Sequence, residues 1–264
     1  MITVTSAELQ IWVASLLWPL TRILGLISVA PLFGNVSVPA HAKISLGVML
    51  ALVIAPGVPA IPATDPMSLA GLLILLQQFV IGLSMGFAMR LVLAAVELAG
   101  EISSTTMGLG FATFYDPQSR GRTSVISQFF ALVTLMVYLA TNIHLVLLAT
   151  LAESFTLLPI SIGPMSGAGF HQLVSWAGRI FSAAVQLSLP IVAGLLITNM
   201  ALGILTRAAP QLNLFGIGFP ITIGIGFVMI ALSLPYFATP VVRLLQEGIE
   251  AIQRITAAMV PGGP

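Results

Sequence analysis

Residues 67–98 read MSLAGLLILLQQFVIGLSMGFAMRLVLAAVEL, and the fold turns on what this run can be. As a helix its roughly 32 residues would extend ~48 Å, well beyond a hydrocarbon core of ~30 Å. Strict apolar/polar alternation is absent, so the strands of an outer-membrane barrel are excluded and a long helix that tilts, breaks or projects is expected. Working outward, Leu9–Leu32, Ile44–Ile61, Val125–Ala152, Leu173–Leu205 and Ile217–Phe237 are similarly apolar, giving six stretches near spanning length. The 264 residues are 58% hydrophobic and 6% charged, against about 45–50% and about 25% in a soluble domain. The predicted class is an all-α membrane protein of long broken helices and helical hairpins, one membrane domain over residues 1–264.

The same composition removes several functions. Nine Lys plus Arg against eight Asp plus Glu leave a formal charge of +1, with no basic run to meet a phosphate backbone, so nucleic acid is excluded as a partner. There is no cysteine, and His41, His144 and His171 stand singly, so neither a metal site nor a cofactor is expected. No serine lies in G-x-S-x-G, and the G-x-G pairs at Gly108, Gly167, Gly216 and Gly224 lack the rest of a dinucleotide fingerprint. The protein is expected not to be an enzyme. Arg22 is the first basic residue, so a signal peptide's charged start is missing and the first apolar stretch is expected to remain in the mature protein.

Charge placement tests the topology. Putting Lys43, Arg120, Arg122 and Arg207 on the cytoplasmic side leaves Gly57–Pro66 and Glu153–Gln172, both free of Lys and Arg, outside. A sixth conventional span would then place Arg243 and Arg254 outside, against the rule. Pro190 is expected to kink the fifth segment, and Pro220 with Gly216, Gly218, Gly224 and Gly226 to interrupt the start of the sixth. Val241–Val260 carries Val242, Leu245, Ile249, Ile252 and Ile255 at helical spacing between Arg243, Glu247, Glu250 and Arg254, an amphipathic helix rather than a seventh span. Arg22, Arg90 and Arg179 are expected to face protein, because ions inside a bilayer are costly. Gly82, Ser84, Gly86 and Ala88, with Gly194 and Gly203, provide small side chains for close helix packing.

Between the third and fourth apolar stretches lies Glu97–Ser124, ELAGEISSTTMGLGFATFYDPQSRGRTS. Gly108 and Gly110 widen the backbone's choices and Asp116-Pro117 signals a turn. Irregular backbone at membrane depth survives only when buried in protein or lining a watery cavity, so a glycine-rich re-entrant plug loop over about 107–122 is expected in a pore. Phe111, Phe114 and Tyr115 either seal that passage, with Met107 as pliable filler, or anchor at the bilayer interface. Glu97 and Glu101 share a helical face and could exchange protons, as a secondary transporter for a small solute would require; neutralisation by Arg90, Arg120 or Arg122 is the favoured reading. A second polar cluster, Asn199, Arg207, Pro210, Gln211, Asn213 and Pro220, is compressed between two apolar stretches and reads as a structural or subunit-contact motif.

These residues resemble a known family. Leu189-Pro190-Ile191, Asn199, Ala201-Leu202-Gly203, Arg207, Ala209-Pro210-Gln211-Leu212-Asn213, Phe215 and Gly218-Phe219-Pro220 are similar to the signature of the FliR family of flagellar export-gate proteins. Glu97–Pro117 resembles its G-E…M-G-L-x-F-A-T-F-x-D-P segment, and Leu157-Leu158-Pro159-Ile160 its outer-loop Leu-Pro motif; Thr106 departs from a more usual glutamine. The resemblance covers essentially the whole chain. It implies a non-catalytic subunit of the flagellar type III export apparatus in the bacterial inner membrane, at the flagellar basal body. Partners would be FliP-type and FliQ-type subunits, other flagellar export membrane components, unfolded exported proteins and membrane lipid. It further implies a helical, cone-like assembly partly raised from the membrane, with Met107, Gly108, Gly110, Phe111, Phe114, Tyr115, Asp116 and Pro117 in the plug. The related virulence-type secretion systems use a homologous subunit.

Overall fold

The computed structural model describes residues 6–59, 62, 64–111, 124–209 and 214–261. These are helical, with no strand among the described residues. The helices are α1 (Ser6–Val29), α2 (Ala40–Ile54), α3 (Leu69–Met107), α4 (Val125–Ala140), α5 (Ile143–Leu157), α6 (Ala168–Ala208) and α7 (Leu214–Ala258). Short 3-10 turns follow α2 at Ala55–Gly57 and α3 at Leu109–Phe111. Four helices are long and apolar enough to cross a membrane, or five when α4 and α5 count as one broken span. Ala14–Val29 of α1 adds a shorter apolar segment.

Three boundaries differ from the sequence reading. The third apolar stretch does not give way at Glu97: α3 runs 39 residues to Met107. Its last turns keep helical periodicity, with Ala99, Ser103, Ser104 and Met107 buried and Glu101 and Thr105 exposed. The polar residues, Thr106 among them, donate to the preceding turn, as Thr106 Oγ1 does to the Ile102 carbonyl at 2.7 Å. Secondly, Val125–Ala152 is broken at Thr141 and Asn142, where Asn142 takes a left-handed φ of 56°. Asn tolerates that region better than most residues.

The third difference is the largest. The glycine- and proline-rich start of the sixth stretch is helical, and α7 continues for 45 residues through Pro220, Pro235 and Pro240. All three prolines are exposed. A proline in a membrane helix forfeits one backbone bond without ending the helix when its surroundings re-satisfy the freed carbonyl. Residues 241–260 are therefore the far end of α7 rather than a separate element. Of the positions read as its apolar stripe, Leu245, Ile249, Ile252 and Ile255 are buried and Val242 is half-buried; of the charged ones, Arg243, Glu250 and Arg254 are exposed and Glu247 is half-buried.

The chain divides into two compact units. Unit 1 comprises Met1–Leu91, Asn142–Ala177 and Leu245–Pro264; unit 2 comprises Val92–Thr141 and Gly178–Leu244. In unit 1, α1 and α3 meet backbone to backbone. A Cβ on Gly82 would strike the Arg22 carbonyl, and one on Gly86 would lie 2.6 Å from the Leu26 carbonyl. Hydrogen at these positions sets the interhelical distance, the role that small residues play in membrane helix pairs. In unit 2, the Phe130 and Phe237 rings pack at 4.8 Å, and a Cβ on Gly194 would lie 2.7 Å from Met229 Cε.

Candidate functional site

The described part of the candidate plug, Met107–Phe111, is fastened to α7 inside unit 2. Met107 is fully buried. Its side chain occupies the space vacated by Gly226, where a Cβ would meet Met107 Cγ at 2.5 Å. The Met107 carbonyl accepts from Thr222 Oγ1 at 3.0 Å. α3 then stops at Gly108, whose φ of 92° lies in the left-handed region and whose N–H donates to the Thr105 carbonyl at 3.0 Å. A Cβ at Gly108 would also lie 2.8 Å from Phe219 Cδ1, so glycine is required there twice over. Gly110 differs: its nearest prospective neighbour is Thr105 at 3.9 Å.

At the other end of the connection, Ser124 caps α4, its Oγ accepting from the Ser127 N–H at 3.1 Å. Ser127 Oγ donates to the Glu97 carbonyl on α3. Gly100 lies against Ser127, where a Cβ would approach Ser127 Cα to 2.5 Å. Both anchors of the connection thus belong to unit 2. Phe114, Tyr115, Asp116 and Pro117, with Arg120 and Arg122, lie outside the described residues, as do Pro210, Gln211 and Asn213. The remainder of the second motif is exposed: Asn199 and Arg207 on α6, Pro220 on α7. Glu97 is half-buried and Glu101 exposed, one turn apart on α3.

Among the described residues, the most completely engaged charge is Arg22, at 0% exposure in unit 1. Its Nε donates to Gln78 Oε1 at 2.8 Å. Nη1 donates to the Ser154 carbonyl at 2.9 Å and to Ser154 Oγ at 3.1 Å, and Nη2 to the Leu158 carbonyl at 2.9 Å. The guanidinium also lies 4.3 Å from the Phe155 ring centroid. These partners are neutral, and two are carbonyls at the end of α5, where a helix leaves its last oxygens without donors and carries partial negative charge. Arg22 therefore caps α5 from inside the protein. The connection that follows is pinned as well, by Gln77 Nε2 to the Gly163 carbonyl at 3.2 Å and by the Ser166 N–H to the Met259 carbonyl at 3.1 Å.

The sequence singled out Arg22 as needing protein around it, but not its partners, which stand 56 to 136 residues away. The usable signal was Leu158-Pro159: a helix end followed by proline leaves carbonyls that need an outside donor. Thr222, Phe219 and Gly226 gave no local hint of meeting Met107 and Gly108. No cluster of His, Asp or Glu among the described residues could hold a metal.

Burial is unevenly distributed over the apolar helices. Within the chain 67% of the apolar window of α3 is buried, against 11% for the α2 region, 28% for α6 and 22% for α7. Fold and site together define an integral membrane protein whose buried Arg22 is bonded within the chain but whose apolar helices α2, α6 and α7 are only partly covered by it. The chain belongs to the bacterial export proteins, family 1, whose family model matches residues 13–248. It is 39% identical over 255 residues to the flagellar biosynthetic protein FliR of Pectobacterium carotovorum subsp. carotovorum, covering 97% of each chain. It is 39% identical over 249 residues, 94% of each chain, to FliR of Escherichia coli strain K12. FliR of Bacillus subtilis strain 168 is 29% identical over 231 residues, covering 86% of this chain and 88% of its own. The protein is accordingly a flagellar-associated inner-membrane component of the flagellar export apparatus.

Proposed function

We propose that the chain is a non-catalytic gate subunit of that apparatus, forming with FliP-type and FliQ-type subunits the portal through which unfolded substrates leave the cytoplasm. The observation that carries this reading is the uncovered apolar surface of α2, α6 and α7, with Leu52, Val53, Phe181, Ile197, Met200, Ile204 and Leu232 more than half exposed. Apolar side chains left exposed in this number call for lipid or other subunits to cover them. Residues 107–122 form the plug in this reading, with Gly110, Phe111, Phe114, Tyr115, Asp116 and Pro117 beyond the point where Met107 and Gly108 are held to α7. The resting plug blocks ions, and an arriving chain displaces it, a two-state change biased by substrate and cytoplasmic partners. Asn199, Arg207, Pro210, Gln211, Asn213 and Pro220 contribute a subunit contact.

Deleting Gly110–Tyr115 tests the gate. With the complex still assembled, as judged by co-purification of the partner subunits, the deletion is expected to raise ion leak across the inner membrane. An unchanged conductance in an intact complex removes the gate role.

A further inference from the structure

Two buried donors in unit 1 are not accounted for by the Arg22 network. Trp18 and Gln78 are each at 0% exposure, and among the described residues neither Trp18 Nε1 nor Gln78 Nε2 meets a hydrogen-bond acceptor. An indole nitrogen can only donate. The Gln78 amide has no freedom to turn over, because its Oε1 accepts from Arg22 Nε at 2.8 Å and the reversed amide would set N–H against N–H. Nε2 therefore keeps both hydrogens for another partner. The two nitrogens also belong to one level of the α1–α3 contact. Gly82 rests on the Arg22 carbonyl and Gly86 on the Leu26 carbonyl, one turn further along both helices, so the helices run in the same direction there. One turn back, the same register sets Trp18 level with Gln78, and Trp18 shares the face of α1 that carries Arg22.

Three donor-bearing side chains, one of them cationic, thus meet at this level, and the bonds of Arg22 itself go to neutral oxygens. A buried donor without a partner is costly, and proteins commonly meet such groups with an ordered small molecule where no side chain serves. The occupant must accept from both nitrogens. It must also be small, because glycine at 82 and 86 brings two backbones together one and two turns away. We infer that Trp18 Nε1 and Gln78 Nε2 hold between them a single small acceptor, a water molecule or a halide ion, beside Arg22. It joins α1 to α3 through side chains one turn before their backbones meet, and it fixes the amide that orients the guanidinium.

A map of the assembled complex that resolves ordered water should show one isolated peak at hydrogen-bonding distance from both nitrogens. No peak where other waters of like burial are resolved, or a protein oxygen bonded directly to either nitrogen, would overturn the inference. W18F removes the indole N–H and should remove the peak; an unchanged peak would also overturn it. Should W18F fail to fold, benzothienylalanine at position 18, which keeps the bicyclic shape without the N–H, takes its place. Thermal unfolding of the full chain in detergent separates the two sources. With chloride exchanged for gluconate at fixed pH and ionic strength, a halide predicts a fall in unfolding temperature of about 3 °C, reversed by bromide and absent from W18F. A water predicts the peak with no halide response, or with one that W18F leaves unchanged. Ion leak from the Gly110–Tyr115 deletion does not enter these measurements, so the gate stands or falls separately.

Discussion

Two arginines on apolar helices show how differently the two units treat polarity. Arg22 in unit 1 is sealed from solvent and bonded to Gln78, Ser154 and Leu158. Arg179 in unit 2 is half-buried beside exposed Ser182 and Gln186. The first charge is consumed in holding distant helices together, and the second bonds the Ser182 hydroxyl one turn along α6 at 3.3 Å. The glycines differ within unit 2 itself: Gly100, Gly194 and Gly226 are closely packed, whereas Gly203 and Gly224 have nothing within 4 Å of a prospective Cβ. The Arg22 contacts of unit 1 are thus met within the chain, whereas the apolar surfaces of α2, α6 and α7 are largely left uncovered by it.

The strongest way to break this contrast is Arg22→Met, which keeps an apolar stem but strands the Gln78 oxygen and the Leu158 carbonyl, while the Ser154 hydroxyl keeps its bond to the Leu151 carbonyl at 2.6 Å. With two buried acceptors left unpaired, a loss of about 3–5 kcal/mol is expected. It should appear as a lower unfolding temperature in detergent and less full-length chain in membranes. Arg22→Lys should recover only part of the loss, since an ammonium lacks the planar fork that reaches Gln78, Ser154 and Leu158 together. A Met variant within about 0.5 kcal/mol of the native chain, the range of an ordinary surface change, would show that unit 1 does not depend on this cation.

How much of this was legible beforehand depended on distance along the chain. The class and the value of Gly82 and Gly86 for close packing follow from local composition. The fate of α7 did not, because proline's cost is local whereas its tolerance in a membrane helix is set by what surrounds it. The continuation of α3 through Glu97–Thr106 was hidden by polar residues whose hydroxyls bond to their own helix, as Ser103 does to the Ala99 carbonyl at 2.8 Å. The ends of the candidate plug were marked by Gly108, but what holds them was not: Thr222 is 115 residues from Met107. Arg22 was visible as an anomaly and its acceptors were not, for the same reason.

An intermediate effect separates two neighbouring glycines in unit 2. Gly108→Ala must hold an L side chain at a φ of 92° against the Phe219 ring. The left-handed conformation and the crowding together should cost about 1–3 kcal/mol. Gly110→Ala, whose nearest neighbour would be Thr105 at 3.9 Å, should change stability by less than about 0.5 kcal/mol. Thermal unfolding of the two variants in the same detergent checks the pair. If both are equally tolerated, the end of α3 is not fixed by Gly108, and the contrast between a fastened Met107 and a looser Gly110 falls.

The smallest effect is the most discriminating, because its sign should depend on the company the chain keeps. Gly203 lies inside α6, exposed and with open space where a Cβ would be. In the isolated chain Gly203→Ala should stabilise α6 by about 0.5–1 kcal/mol, since alanine loses less backbone entropy and meets no neighbour. In the assembled gate, a partner helix using that gap for close approach would meet the new methyl, so the gain should vanish or reverse in co-purification yield and in the melting temperature of the complex. Equal stabilisation in both settings would mean that this stretch of α6 faces lipid rather than a partner helix.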